Sequence, residues 1–111
     1  MATIETIVTA LSSLSLPHGT GIFSGEPSLN HYVIVPDFDS GIEADNVDQL
    51  IDEHLNIEFY ISGDYRPTIT TAKTKLFAAG ICVTEGQYIE CIAHSETIKQ
   101  HHYALSVIGR A

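Results

Sequence analysis

The chain is short of positive charge. Five Lys and Arg residues stand against 14 Asp and Glu in 111 residues, a formal net charge of -9 with His neutral. Nucleic-acid binding rests on Lys and Arg displacing the counterions condensed on phosphates, so this composition argues against a sequence-specific DNA or RNA binder. Long apolar runs are also missing, which removes a membrane-spanning helix from consideration. Met1-Ala2-Thr3-Ile4-Glu5-Thr6 offers no basic leader before an apolar segment, so a secretory signal is not expected and a cytosolic chain is. Cysteine is scarce: Cys82 and Cys91 form neither a C-x-x-C pair nor a four-ligand set, and a zinc site of the usual kind is unsupported.

Local catalytic signatures are absent as well. None of the six histidines, His18, His31, His54, His94, His101 and His102, falls in G-x-S-x-G or H-E-x-x-H. They read as surface or structural residues. Gly19-x-Gly21 lacks a third glycine and a preceding strand, so a dinucleotide loop is a poor reading. No cofactor is expected, and the chain reads as a non-enzyme.

What is present is a strongly patterned globular sequence. Hydrophobic residues make up 44%, enough for one core in a chain of this length and too little for two. One domain spanning residues 1–111 is expected. The clearest pattern runs from His54 to Ile61, where Leu55, Ile57, Phe59 and Ile61 alternate with polar residues. A strand here buries four large side chains on one face. Ser62-Gly63-Asp64 then breaks the extended run, and Pro67 suits the first turn of a helix.

Before this strand, Ile4, Ile7, Val8, Leu11 and Leu14 recur at helical spacing. They predict a helix over about Thr3–Ser15, stopped by Pro17. His18 lies in a predicted turn leading to a short strand around Ile22 and Phe23, and His31–Val35 is a β-branched and aromatic strand. Residues 37–53 hold seven of the 14 acids and no Lys or Arg. Self-repulsion and the lack of an apolar stripe predict a long acidic loop, with a short helical turn near Asn46–Ile51. Asp37-x-Asp39-x-Gly41-x-Glu43 resembles the start of a calcium loop, but its glycine is fifth and its twelfth position is Asp48, so a solvated loop is the better reading.

After the central strand, Ile69, Ala72, Leu76 and Ala79 predict a second helix capped by Gly80. Ile81–Thr84 and Tyr88–Ala93 flank Glu85-Gly86-Gln87, which reads as a hairpin of ambiguous turn. One choice of turn sets Cys82 opposite Cys91 and the other offsets them, with two free thiols the expectation in a reducing compartment. Tyr103, Leu105 and Val107 share one face of a last strand. The fold class that follows is α/β (α+β): a mostly antiparallel or mixed sheet of about four to six strands on two helices, in the order α-β-β-β-α-β-β with room for one more strand. Leu55, Ile57, Phe59, Ile61 and Leu76 are the predicted core.

In order, these pieces resemble a known family: Leu14–Gly19, Pro27–Val35, Ala44–Asn46, Tyr60–Tyr65, Ala78–Ile81 and His102–Val107. They are similar to the small tail-terminator or head–tail joining proteins of long-tailed bacteriophages and prophages. One departure is His102-Tyr103 where the pattern has Tyr-His. The resemblance implies a structural virion protein at the head–tail junction, made in the host cytoplasm. It implies a homo-oligomeric ring, by analogy a hexamer, contacting tail-tube and head-connector proteins while DNA passes unbound. An acidic lining would suit that passage by like-charge repulsion. Asp37, Asp39, Glu43, Asp45, Asp48, Asp52, His101 and His102 are the candidate interface or channel residues, because residues 37–53 and 94–102 look polar and without a packing role. The alternative is a small acidic binding or inhibitor module that mimics nucleic acid.

Overall fold

The computed structural model describes residues 2–21, 28–41 and 51–110. Helix α1 spans Ala2–Ala10 and is followed by a 3-10 turn over Ser12–Leu14. Strand β1 is His18–Thr20, β2 is His31–Gly41 and β3 is Ile51–Ser62. Helix α2, Arg66–Ala78, precedes β4, Cys82–Ala93, and β5, Lys99–Arg110. They form one five-stranded mixed sheet of order β1-β2-β3-β5-β4 with two helices, the α+β fold expected. Among the described residues only the β1–β2 pairing is parallel.

The middle of this sheet is β3, hydrogen-bonded to β2 on one side and β5 on the other. Its two-residue side-chain period sends Leu55, Ile57, Phe59 and Ile61 to the helix-covered face. Ile57 and Phe59 have no exposed surface. They join Ile7 of α1 and Leu11 just after it, Ile69, Ala72 and Leu76 of α2, Tyr32 and Ile34 of β2, and Leu105 and Val107 of β5 in a single cluster. Burial also pushes the Tyr32 phenol up to about 12, so it stays neutral inside this core.

Local chemistry fixes the element ends. Pro67 occupies the first turn of α2, where its missing N–H has no helical partner to lose. At the other end Gly80 takes φ +82, its N–H donates to Phe77 O at 3.0 Å and the Ile81 N–H donates to Leu76 O at 2.9 Å. These two bonds close the helix with the left-handed residue that glycine supplies. Ala79, expected on the helix face, is instead the exposed C-cap. Pro36 is tolerated in β2 because β1 covers only Tyr32–Ile34, so among the described residues no strand pairs with the outer edge where Pro36 sits, beside a register shift between Pro36 and Phe38.

Three expectations are corrected. First, the acidic stretch is not a loop throughout: Asp37–Gly41 extends β2 and Ile51–Glu53 begins β3, because β3 there is paired to β2 and, from Asp52, to β5. Ladder hydrogen bonds on two sides override weak local preference. Glu53 is buried; its carboxylate accepts a hydrogen bond from the Thr3 hydroxyl of α1, which packs over Gly109. Residues 42–50 lie outside the described part, and with them most of the predicted helical turn; Ile51 is a strand residue.

Second, Glu85-Gly86-Gln87 is no turn. β4 runs unbroken through it, and the hairpin that exists joins β4 to β5 through residues 94–98. Gly86 serves close approach instead: a Cβ there would stand 2.7 Å from the Tyr103 hydroxyl and 3.2 Å from Leu105 Cδ2. An aromatic side chain lying across an edge-strand glycine is a known way to protect it. Cys82 therefore pairs with Ile108 and Cys91 with His101, and both thiols are free. Third, His18 is in strand β1 rather than a turn, with its ring edge-on to Tyr32 at 5.2 Å. The strand expected around Ile22 and Phe23 falls outside the described residues.

Because Phe59 is fully enclosed, Phe59→Ala is expected to cost about 3–5 kcal/mol. Denaturant unfolding reads this directly, and a loss below about 1 kcal/mol would contradict the packing described.

Candidate functional site

Two surfaces of the sheet carry chemistry that the core does not use. On the face away from the helices, His31 of β2, Tyr60 of β3 and His102 of β5 lie side by side in register. Their rings stack, 4.7 Å apart and 11° from parallel for His31–Tyr60, and 4.3 Å and 21° for Tyr60–His102. The outer members are held by acceptors. His31 Nδ1–H donates to Ser28 O at 2.7 Å, and His102 Nε2–H donates to Glu58 Oε1 at 2.7 Å. Both histidines are buried, although neither α1 nor α2 covers this side.

A chain of polar contacts closes the end of the same face. His94 Nε2–H donates to Gln100 Oε1 at 3.0 Å, Gln100 Nε2 donates to Leu29 O at 2.8 Å, and the Ser62 N–H donates to Asn30 Oδ1 at 2.7 Å. Segment 28–30 is thereby pinned across three strands. Burial, with the Glu58 and Glu90 carboxylates nearby, raises the Tyr60 phenol above its ordinary value. Burial lowers His31 below the ordinary 6.5, outweighing its bond to Ser28. The ladder is thus neutral at His31 and Tyr60 near neutral pH, and it is a packing device with a titratable member.

The second surface lies at the other edge of the sheet. Nearly every residue of β4 is exposed, with only Val83 and Ile92 half-buried. Beside β4, α2 shows Phe77 to solvent at 84% exposure. Between them runs a groove of about 800 Å³ whose lining includes Lys73, Phe77, Ile81, Val83 and Glu85. By register Glu85 belongs with Ser106 on the opposite face, while Val83 and Gly86 share the helix-side face with Val107 and Leu105. The outer edge of β4 has no partner strand among the described residues. Register shifts at Val83/Glu85 and Tyr88/Glu90 interrupt its ladder, and such bulges twist an edge away from strand-on-strand addition.

An aromatic cluster anchors this edge. Tyr65, the N-cap of α2, touches Tyr88, His101 and Tyr103 with ring centroids 5.4, 5.2 and 5.6 Å away. The Tyr88 hydroxyl and His101 Nδ1 are 2.8 Å apart. Asp64, hydrogen-bonded to the Arg66 side chain and backbone N–H, has its carboxyl held below the usual range.

The candidate residues read from sequence are dispersed. His101 and His102, adjacent in β5, point to opposite faces: His101 is half-buried in the tyrosine cluster, and His102 is buried in the stacked ladder. The expectation that 94–102 lacks a packing role is corrected, because Gln100 and His102 are both buried. Asp37, Asp39 and Asp52 are strand residues whose side chains lie outside the described part; Glu43, Asp45 and Asp48 lie outside it altogether. Among the described residues, no three His, Cys, Asp or Glu side chains are placed to hold a metal ion, and no helix is long and apolar enough to cross a membrane. Sequence reading missed the groove, although Phe77, one residue past the buried Leu76, was an available signal: a large aromatic about 100° off the core stripe. Comparison with protein-family models and with curated proteins finds no match for this chain.

The His31 shift has a consequence for stability. Between its folded value and 6.5 the unfolded chain binds a proton that the folded chain does not, so stability rises with pH through that window and is lost on acidification. Urea midpoints measured between about pH 5 and 7.5 should fall less steeply on acidification in His31→Asn than in the wild type. Equal slopes would remove His31 from this role.

Proposed function

We propose that this chain is a structural subunit that associates with copies of itself, and that it closes a phage tail tube and joins it to the head in the manner its sequence resemblance implies. The observation that supports this reading is the open edge: a twelve-residue strand, β4, exposed along its length beside an apolar groove and an exposed Phe77. Monomers seldom leave contiguous apolar surface open unless it meets something. A groove on one side of a subunit that accepts a different part of its neighbour makes a head-to-tail contact, and head-to-tail contacts close into rings when the rotation allows.

The net charge of -9 fits a particle component that DNA passes without adhering. The histidines do packing work in this reading and none is assigned chemistry. In dilute solution the subunit is expected to be monomeric or weakly associating, since the like charges repel over a Debye length of about 8 Å.

Electron microscopy of the purified protein mixed with purified tail tubes tests the reading. Density added at one end of each tube is expected, with His18→Ala and His54→Ala behaving as wild type. Tube ends left bare, together with capture of a basic protein in competition with DNA, would favour a nucleic-acid mimic instead.

A further inference from the structure

Cys91 is an exposed thiol, and the strand that carries it changes course just before it. The β4–β5 ladder passes from the Tyr88–Tyr103 pair to the Glu90–His102 pair, two steps on β4 for one on β5, so Ile89 is the extra residue of a bulge. Strict alternation from Tyr88 would send Cys91 to the face away from the helices. The extra residue reverses the alternation beyond it, as bulges do where they re-aim a side chain. Cys91 therefore shares the helix-side face with Tyr88 and stands directly opposite His101.

The groups on that face form a path for a proton. The Tyr88 hydroxyl lies 2.8 Å from His101 Nδ1. Desolvation raises the Tyr88 phenol above its ordinary value, and the charge of Cys91, with a hydrogen bond to it, adds to the rise. Tyr88 thus meets both neighbours and keeps its own proton. With His101 protonated at Nε2, the Tyr88 hydroxyl donates to Nδ1 while its oxygen accepts from the Cys91 thiol. Moving each proton one step leaves a thiolate at Cys91 and an imidazolium at His101, with Tyr88 neutral between them. A carboxylate faces that imidazolium: Asp64, held below the usual range first by Arg66, also feels the charge of His101. Tyr65 and Tyr103 complete the cluster.

We propose that Cys91 is a site of reversible thiolation, its sulfur attacking the disulfide of a neutral or cationic small thiol while Tyr88 and His101 carry its proton away. A bond forms between the Cys91 sulfur and one sulfur of the reagent as the reagent's own S–S bond breaks. The departing thiolate takes up the proton released from Cys91. The net charge of -9, with the Glu90 carboxylate beside Tyr88, repels an anionic reagent. Cys82 is exposed on the same strand but stands opposite Ile108, which offers no proton acceptor. The site is independent of the self-association reading above.

Cys82 serves as the internal reference for the test. The reduced full-length chain is treated with cystamine at about pH 7, and peptide mass spectrometry follows the mixed disulfide at each cysteine. An ordinary thiol is only a few per cent thiolate near that pH, so Cys91 is expected to react about tenfold faster than Cys82. Tyr88→Phe and His101→Phe each keep a ring in the cluster and should bring the ratio near one, with the Cys82 rate and the urea midpoint staying at their wild-type values. In the wild type the Cys91 rate should rise less steeply than the Cys82 rate between about pH 6.5 and 8.5, a difference that a merely structural role for the relay would not produce. Equal rates and equal pH profiles in the folded wild type would overturn the proposal. A preference for Cys91 kept in either variant would overturn it too, since exposure alone would then account for the difference. Added salt should slow cystamine at Cys91, and a rate unmoved by salt would overturn the choice of a cationic reagent.

Discussion

The structure depends on the two-sided pairing of β3. A strand bonded on both edges has no backbone group to leave unsatisfied, so its register is set jointly by β2 and β5. A one-residue slip would carry Phe59, Ile57 and Leu55 to the open face and bring Glu58, Asn56 and His54 under the helices. Both helices, the stacked His31–Tyr60–His102 ladder and the reach of the β2–β3 arm all inherit their positions from this one register. That is why the polar face of β3 is as ordered as its apolar face: Tyr60 can stack between His31 and His102 only if three strands are aligned at once.

The elements legible in the sequence are those whose signal is periodic and whose burial is local. Leu55, Ile57, Phe59 and Ile61 on β3, Ile7 on α1 with Leu11 just after it, and Ile69, Ala72 and Leu76 on α2 are buried as their spacing implies. Caps were legible too, since Gly80 and Pro67 act through backbone geometry that needs no partner. The strand ends in the acidic stretch were not, because Asp39 and Ser40 become strand residues only through Glu53 and Asp52 across the ladder, a cause that lies outside any local window.

Gly86 shows a different kind of failure. Glycine between two β-rich runs usually marks a turn, and here the same residue type answers a steric demand from Tyr103, seventeen positions further along the chain. The two requirements, freedom of φ and absence of a side chain, look identical in sequence and differ only once the neighbouring strand is in place. Misreading Gly86 also misplaced the hairpin, and with it the relation of Cys82 to Cys91. The candidate site went unseen for the same reason, since the exposure of Phe77 follows from which face of the sheet α2 leaves bare.

Charge segregation along the chain then takes on a physical meaning. Seven acids in residues 37–53 have no base among them; relief within the subunit comes from outside the stretch, where the ladder sets Arg110 of β5 opposite Asp52 and the Thr3 hydroxyl donates to Glu53. Three of the five bases lie instead on α2, which carries no acid, so charges of opposite sign are segregated along the chain rather than mixed. The net charge of -9 opposes casual contact between copies in dilute solution.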